Sequence, residues 1–146
     1  MSSLKAARAG ALYFIVIFAL GFMLGVVRTV FLNAYSGIDR LTGVLIELPI
    51  MLLARWLVSG IIIRRFAVAS AVNARAVMGA TAFALLIGAE MLVGVLMFER
   101  TMAEHFQLYR EPSYLAGLLA QVLFALMPIG RMVLGRDTVV HGQSSR

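Results

Sequence analysis

The chain contains no cysteine, which excludes disulfides and thiolate metal ligands. It has two histidines and seven acidic residues, little from which to build a metal centre or an acid–base pair, and neither an HExxH motif nor a paired-histidine spacing occurs. Glu99, Glu104, His105 and Glu111 form a loose polar cluster that reads as a solvated face. The sequence therefore predicts no metal site, no cofactor and no enzyme. Only three prolines and one tryptophan are present, so long helices can run with few breaks. Charged residues are 14% of the chain and hydrophobic residues 62%, well outside the composition of water-soluble domains.

What is abundant is apolar sequence gathered into blocks. A helix needs about 20 apolar residues to cross the hydrocarbon of a bilayer, and four blocks satisfy this, at about 10–32, 41–63, 76–98 and 114–134. The expected fold is all-α: one membrane domain over 1–146, a four-transmembrane-helix bundle built from two antiparallel hairpins. The short connection 33–40, with Ser36-Gly37, closes the first hairpin. Residues 99–113 place Met102, Phe106 and Tyr109 opposite Arg100, Glu104 and Gln107, the pattern of a short interfacial helix. Pro112-Ser113 then opens the last span. Gly10, Ala11, Phe14, Gly25 and Val26 recur at constant offset as Gly79, Ala80, Phe83, Gly94 and Val95. A duplication would relate two parallel hairpins by an axis along the membrane normal.

The net charge of +6 does not form a basic stripe on a polar domain, so nucleic acid is not the expected partner. The basic residues instead flank the apolar blocks. Lys5, Arg8, Arg64, Arg65, Arg75, Arg131, Arg136 and Arg146 fall on one side, against Arg40, Arg100 and Arg110 on the other. By the positive-inside rule both termini are cytoplasmic, in what reads as a bacterial inner membrane. Lys5, Arg8, Arg64, Arg65, Arg75, Arg131 and Arg136 are expected to contact lipid headgroups there. The first block is too long for a signal-peptide core and lacks a small-x-small cleavage site near Asn33, so it reads as a span. The tail around His141 reads as disordered.

Charge inside the membrane carries the functional argument, because each such group costs at least about 2.5 kcal/mol. Counting about 1.5 Å per residue, Arg28, Glu47, Gln121 and Glu90 lie about 6 to 12 Å below the outer face, one on each span. Arg55 lies deeper. These five residues are the candidate site, and they should point inward to pair. Helical phase puts Gly21, Gly25 and Arg28 on one stripe and Gly117, Gln121, Phe124, Pro128 and Arg131 on another. The third span offers two inward faces, Ala80/Ala84/Gly88 and Phe83/Glu90/Gly94, and the one left over would suit a homodimer. Pro49 and Pro128 free the carbonyls of Leu45 and Phe124, so kinks are expected. Arg55 has three destinations: Glu90, the freed Phe124 carbonyl, or the cytoplasmic interface.

The segments Gly10-Ala11-Leu12-Tyr13-Phe14, Glu47-Leu48-Pro49-Ile50-Met51 and Phe124-Ala125-Leu126-Met127-Pro128 resemble small four-helix bacterial inner-membrane proteins that have no assigned function. That resemblance spans most of the chain and implies a fold but no activity. Small multidrug transporters share the size, but they carry an essential glutamate in the first span, where this chain has none. The residues favour a structural or accessory membrane component, in which the Arg/Glu cluster fixes packing; the alternative is a small transporter or channel that uses the cluster to bind an ion, proton or polar solute.

Overall fold

A computed structural model describes residues 3–32, 39–98 and 101–134. The described residues form helices and no strands: α1 (Ser3–Val27), whose last turn widens into a π-helix over Arg28–Leu32, α2 (Arg40–Arg65), α3 (Val72–Phe98), the short α4 (Met102–Leu108) and α5 (Pro112–Val133). Four of them, α1, α2, α3 and α5, are long and apolar enough to cross a membrane. The connection 33–38 and the tail 135–146, with Arg136 and His141, lie outside the described residues, as does the side chain of Arg40.

Two boundaries differ from the sequence reading. α1 starts at Ser3 and α3 at Val72, so each is about a turn or more longer than its apolar block. The added turns are held by packing: Ala6 and Ala9 are buried, on the stripe that continues through Tyr13 and Ile17. The spacing of three, four and four residues is that of one helical face.

Around the bundle the order is α1, α3, α5, α2, with the most extensive interface between α1 and α3. Small residues set these approaches. A Cβ on Gly10 would strike the backbone carbonyl of Met78, and one on Gly79 would strike that of Ala125. Gly10 thus brings α1 onto α3, while its repeat counterpart Gly79 brings α3 onto α5. The relation is head to tail. An axis along the membrane normal would set α1 diagonally from α3 and α2 diagonally from α5, whereas α1 and α3 are neighbours, so the packing departs from that symmetry.

α2 ends in a Schellman motif. Ala67 N–H donates to Arg64 O at 3.2 Å and Val68 N–H to Ile63 O at 3.0 Å, and Ile63 and Val68, which close the apolar side of the motif, are both buried. The left-handed position is taken by Ala67, φ 47°, instead of the usual glycine. At the other end of the bundle α4 begins with a capping box. Thr101 N–H donates to Glu104 Oε2 at 2.8 Å and Glu104 N–H to Thr101 Oγ1 at 3.3 Å. Met102 and Phe106 stay exposed on this helix, as an interfacial helix requires. Glu111 is the N-cap residue of α5, and Pro112 opens its first turn.

The basic residues divide. Lys5, Arg8, Arg64 and Arg65 are exposed, as headgroup contacts would be. Arg75 and Arg131 are not: they are 1% and 6% exposed. Arg75 Nε donates to Ala69 O at 3.1 Å, across the α2–α3 connection. The Arg131 guanidinium lies 4.8 Å from the centre of the Trp56 ring, and its Nη1 donates to Trp56 O at 3.0 Å. Gly60 makes room for it, since a Cβ there would overlap the guanidinium. Arg75 reaches a carbonyl of the connection, and Arg131 reaches a carbonyl within α2 and the Trp56 face.

Candidate functional site

The α3 phase is settled by Met78, Ala82, Leu86 and Gly94, which are buried, and by Glu90 on the same side. Ala80, Ala84 and Gly88 are exposed and form the outward stripe. On α5 the buried set is Ser113, Ala120, Gln121, Phe124, Pro128 and Arg131, which matches the predicted stripe except that Gly117 is half-buried.

These phases bring all five candidate residues, Arg28, Glu47, Arg55, Glu90 and Gln121, to the wall of one cavity of about 640 Å³. It lies between the four spans in the half of the bundle nearer α4, with Tyr109, Ser113 and Tyr114 also on its wall. At the opposite end the helices touch through Gly10 and Gly79. Near the cavity they stand apart, for a Cβ on Gly25 or Gly117 would meet nothing within 4 Å.

Each hairpin supplies one polar pair. Arg28 Nη1 and Glu47 Oε2 are 2.8 Å apart, joining α1 to α2, with the side chains 23% and 18% exposed. Gly43 positions this pair, because a Cβ there would come within 2.8 Å of Arg28 Cδ. The arginine stem crosses α2 at Gly43 and its head reaches Glu47 one turn on. The π-helical turn begins at Arg28 itself, beside Thr29, whose Oγ1 donates to Gly25 O at 2.8 Å. That hydroxyl competes for a carbonyl of the regular helix, which favours a register change there. In the second pair Gln121 Nε2 donates to both Glu90 oxygens, at 2.6 and 2.7 Å, joining α5 to α3.

Arg55 makes no direct bond to any of its three expected destinations, although Glu90 lies within range of its charge. Its Nη1 donates to the carbonyl of Ala120, and the guanidinium lies 5.4 Å from the centre of the Phe124 ring. The Phe124 carbonyl freed by Pro128 instead receives the Tyr13 hydroxyl in a long bond of 3.5 Å, and the same hydroxyl donates to Arg55 O at 3.2 Å. Tyr13 also stacks on Phe124, with ring centroids 4.4 Å apart. α2 and α5 run without a break through Pro49 and Pro128. At the cavity mouth, burial and the Glu90 charge hold the Tyr109 phenol above its ordinary pKa, so it is a neutral hydroxyl at physiological pH.

The π-helical turn, Gly43, Tyr13 and the tyrosines at the mouth were not singled out from sequence as parts of the site. Tyr13 stands at the edge of the expected span, where a hydroxyl can meet water, and only the added turns of α1 carry it into the bundle. Gly43 had no signal, since its role is the space it leaves. Glu104 serves the cap of α4, and Glu99 and the side chain of His105 lie outside the described residues; no group of three or more His, Cys, Asp or Glu able to hold a metal occurs among those described. The chain matches no protein-family model, no curated protein and no solved structure.

Proposed function

We propose that the protein is a small membrane carrier or channel of the bacterial inner membrane, holding a polar or amphipathic solute in the cavity between its spans. The observation behind this reading is that every spanning helix contributes a polar group to a single space of about 640 Å³. Charges used only to fix packing are dry and closely packed around; these line a space of the size that small ligands occupy. With both termini in the cytoplasm, as the charge bias indicates, the cavity opens to the outer side.

Because the chain has no cysteine, single cysteines report on this directly. The thiolate, which forms where water reaches, attacks the maleimide double bond. Gly25→Cys and Gly117→Cys, which face the cavity, are expected to react with a membrane-impermeant maleimide added to the outer side of sealed vesicles. Leu92→Cys and Leu119→Cys, on the exposed apolar surface at 59% and 61% exposure, are expected to stay unreactive. Unreactive cavity positions would sink the carrier reading.

A second reading, a structural or accessory membrane component, is supported by the polar pairs themselves, since each staples one hairpin. The exposed stripe Ala80, Ala84 and Gly88 would then serve a second copy of the chain. In that case the cavity cysteines stay unlabelled, and the protein migrates as a dimer in mild detergent.

A further inference from the structure

The cavity has a chemical bias that narrows its ligand. Its charged wall consists of Arg28 and Arg55 against Glu47 and Glu90, which cancel. Arg28 and Glu47 are spent on each other, and Glu90 accepts from the Gln121 amide on both oxygens. An ionic solute would have to shed its hydration on binding with no free counter-charge on the wall to replace it. Two buried polar atoms remain without a hydrogen-bond partner on the cavity-lining residues: a donor, Arg55 Nε, and an acceptor, Gln121 Oε1. Both residues are 7% exposed. The two are linked, because Arg55 Nη1 bonds the carbonyl of Ala120, the residue before Gln121. Away from them the wall is apolar, with Ile17, Phe18, Met51 and Leu86.

We infer that Arg55 and Gln121 recognise the head of a neutral amphiphile, one that both accepts and donates a hydrogen bond, such as a hydroxyl or primary amide, with an alkyl tail lying along the apolar wall of Met51 and Leu86. The inference rests on the carrier reading and specifies its ligand. The head accepts from Arg55 Nε and donates to Gln121 Oε1, answering each orphan with its complement. Both atoms are buried on residues that line the cavity, so engagement requires each side chain to turn toward it.

The test uses three photoreactive ten-carbon alkyl diazirines that differ only in their heads: hydroxyl, carboxylate and trimethylammonium. Each is added to the full chain in phospholipid vesicles, and labelled residues are mapped by mass spectrometry. The expected result is several-fold greater labelling of Met51 and Leu86 by the hydroxyl probe than by either ionic one. Gly117→Leu, which fills the cavity from an open position, should abolish that labelling, whereas Gly88→Leu, on the outward stripe, should leave it intact. Arg55→Lys keeps the positive charge and removes the Nε–H, so it should lower hydroxyl-probe labelling several-fold. If an ionic probe labels best and Gly117→Leu still blocks it, the neutral-ligand assignment is overturned while the carrier reading stands. Labelling of Met51 and Leu86 by no probe overturns both, and unchanged labelling in Arg55→Lys removes Arg55 and Gln121 as the recognition site. Should Arg55→Lys fail to fold, the head-group series on the wild type decides the matter alone.

Discussion

Ala67 carries a backbone cost that a glycine would remove. A non-glycine residue at φ 47° pays for the contact between its Cβ and its own backbone. Ala67→Gly is therefore expected to stabilise the protein by about 1 kcal/mol, read as a raised melting temperature in detergent. Glu47 gives the opposite kind of information. Its pair with Arg28 is partly exposed, so in a water-filled cavity Glu47→Gln should cost no more than about 1 kcal/mol. A dry, structural pair would cost about 3–5 kcal/mol, and a loss of that size in thermal melting would favour the packing role. Arginine was the residue type least legible from sequence. Counting charge per side identifies which connections are basic, but not whether a side chain snorkels outward or folds back. Arg75 folds back because the Ala69 carbonyl of the connection lies within reach, and Arg131 because the Trp56 carbonyl and ring do. The sole tryptophan makes this testable. Gly60→Ala should push Arg131 off the ring, shift the emission maximum of Trp56 and cost about 1–3 kcal/mol; an unchanged spectrum would show that the stacking does not occur.

At the scale of elements, packing separates two classes of glycine that look alike in the sequence. Gly79 touches backbone, which cannot move aside as a side-chain tip can. Gly79→Ala is therefore expected to destabilise by about 1–3 kcal/mol through overpacking, with Gly10→Ala similar. Gly88 faces open space, and Gly88→Ala should be neutral or gain up to about 1 kcal/mol from helix propensity. Equal melting temperatures for Gly79→Ala and Gly88→Ala would contradict the close α3–α5 approach. The spans themselves were readable because uninterrupted apolar runs have one use, and the α5 face was readable because Gln121, Phe124, Pro128 and Arg131 keep helical spacing. α3 was ambiguous for a physical reason: small residues occur on both of its sides, and only the partners that Gly79 and Glu90 find distinguish them. The extra turns of α1 and α3 were missed because Lys5, Arg8 and Arg75 end the hydropathy signal before the helix ends.

At the scale of the molecule, the helices meet closely at the end that holds the α2–α3 connection and stand apart around the cavity at the other. The five polar positions were legible as a group because charge in hydrocarbon is costly wherever it appears. The cavity they line was not, since depth along each helix says nothing about the distance between helices. The proposed orientation is also checked at this scale. A cysteine at the exposed Ser70 should be blocked by impermeant maleimide only from the cytoplasmic side, and one at Thr101, also exposed, only from the outer side; the reverse pattern would invert the topology.

Arg55 finds its acceptor 65 residues later, at Ala120, and the Tyr13 hydroxyl reaches across 111 residues to Phe124. During synthesis, therefore, the first hairpin enters the bilayer with the Tyr13 hydroxyl able to reach Arg55 O but with the Arg55 guanidinium not yet met by the last helix, and the face of α1 that α3 covers is open to lipid in the interval. The nascent hairpin is an incomplete object, and the last span to be made is the one that completes it. A chain ending before Pro112 should be made and then degraded, while supplying residues 112–146 as a separate polypeptide in the same membrane should rescue it, so that the order of translation becomes part of how this small bundle reaches its native state.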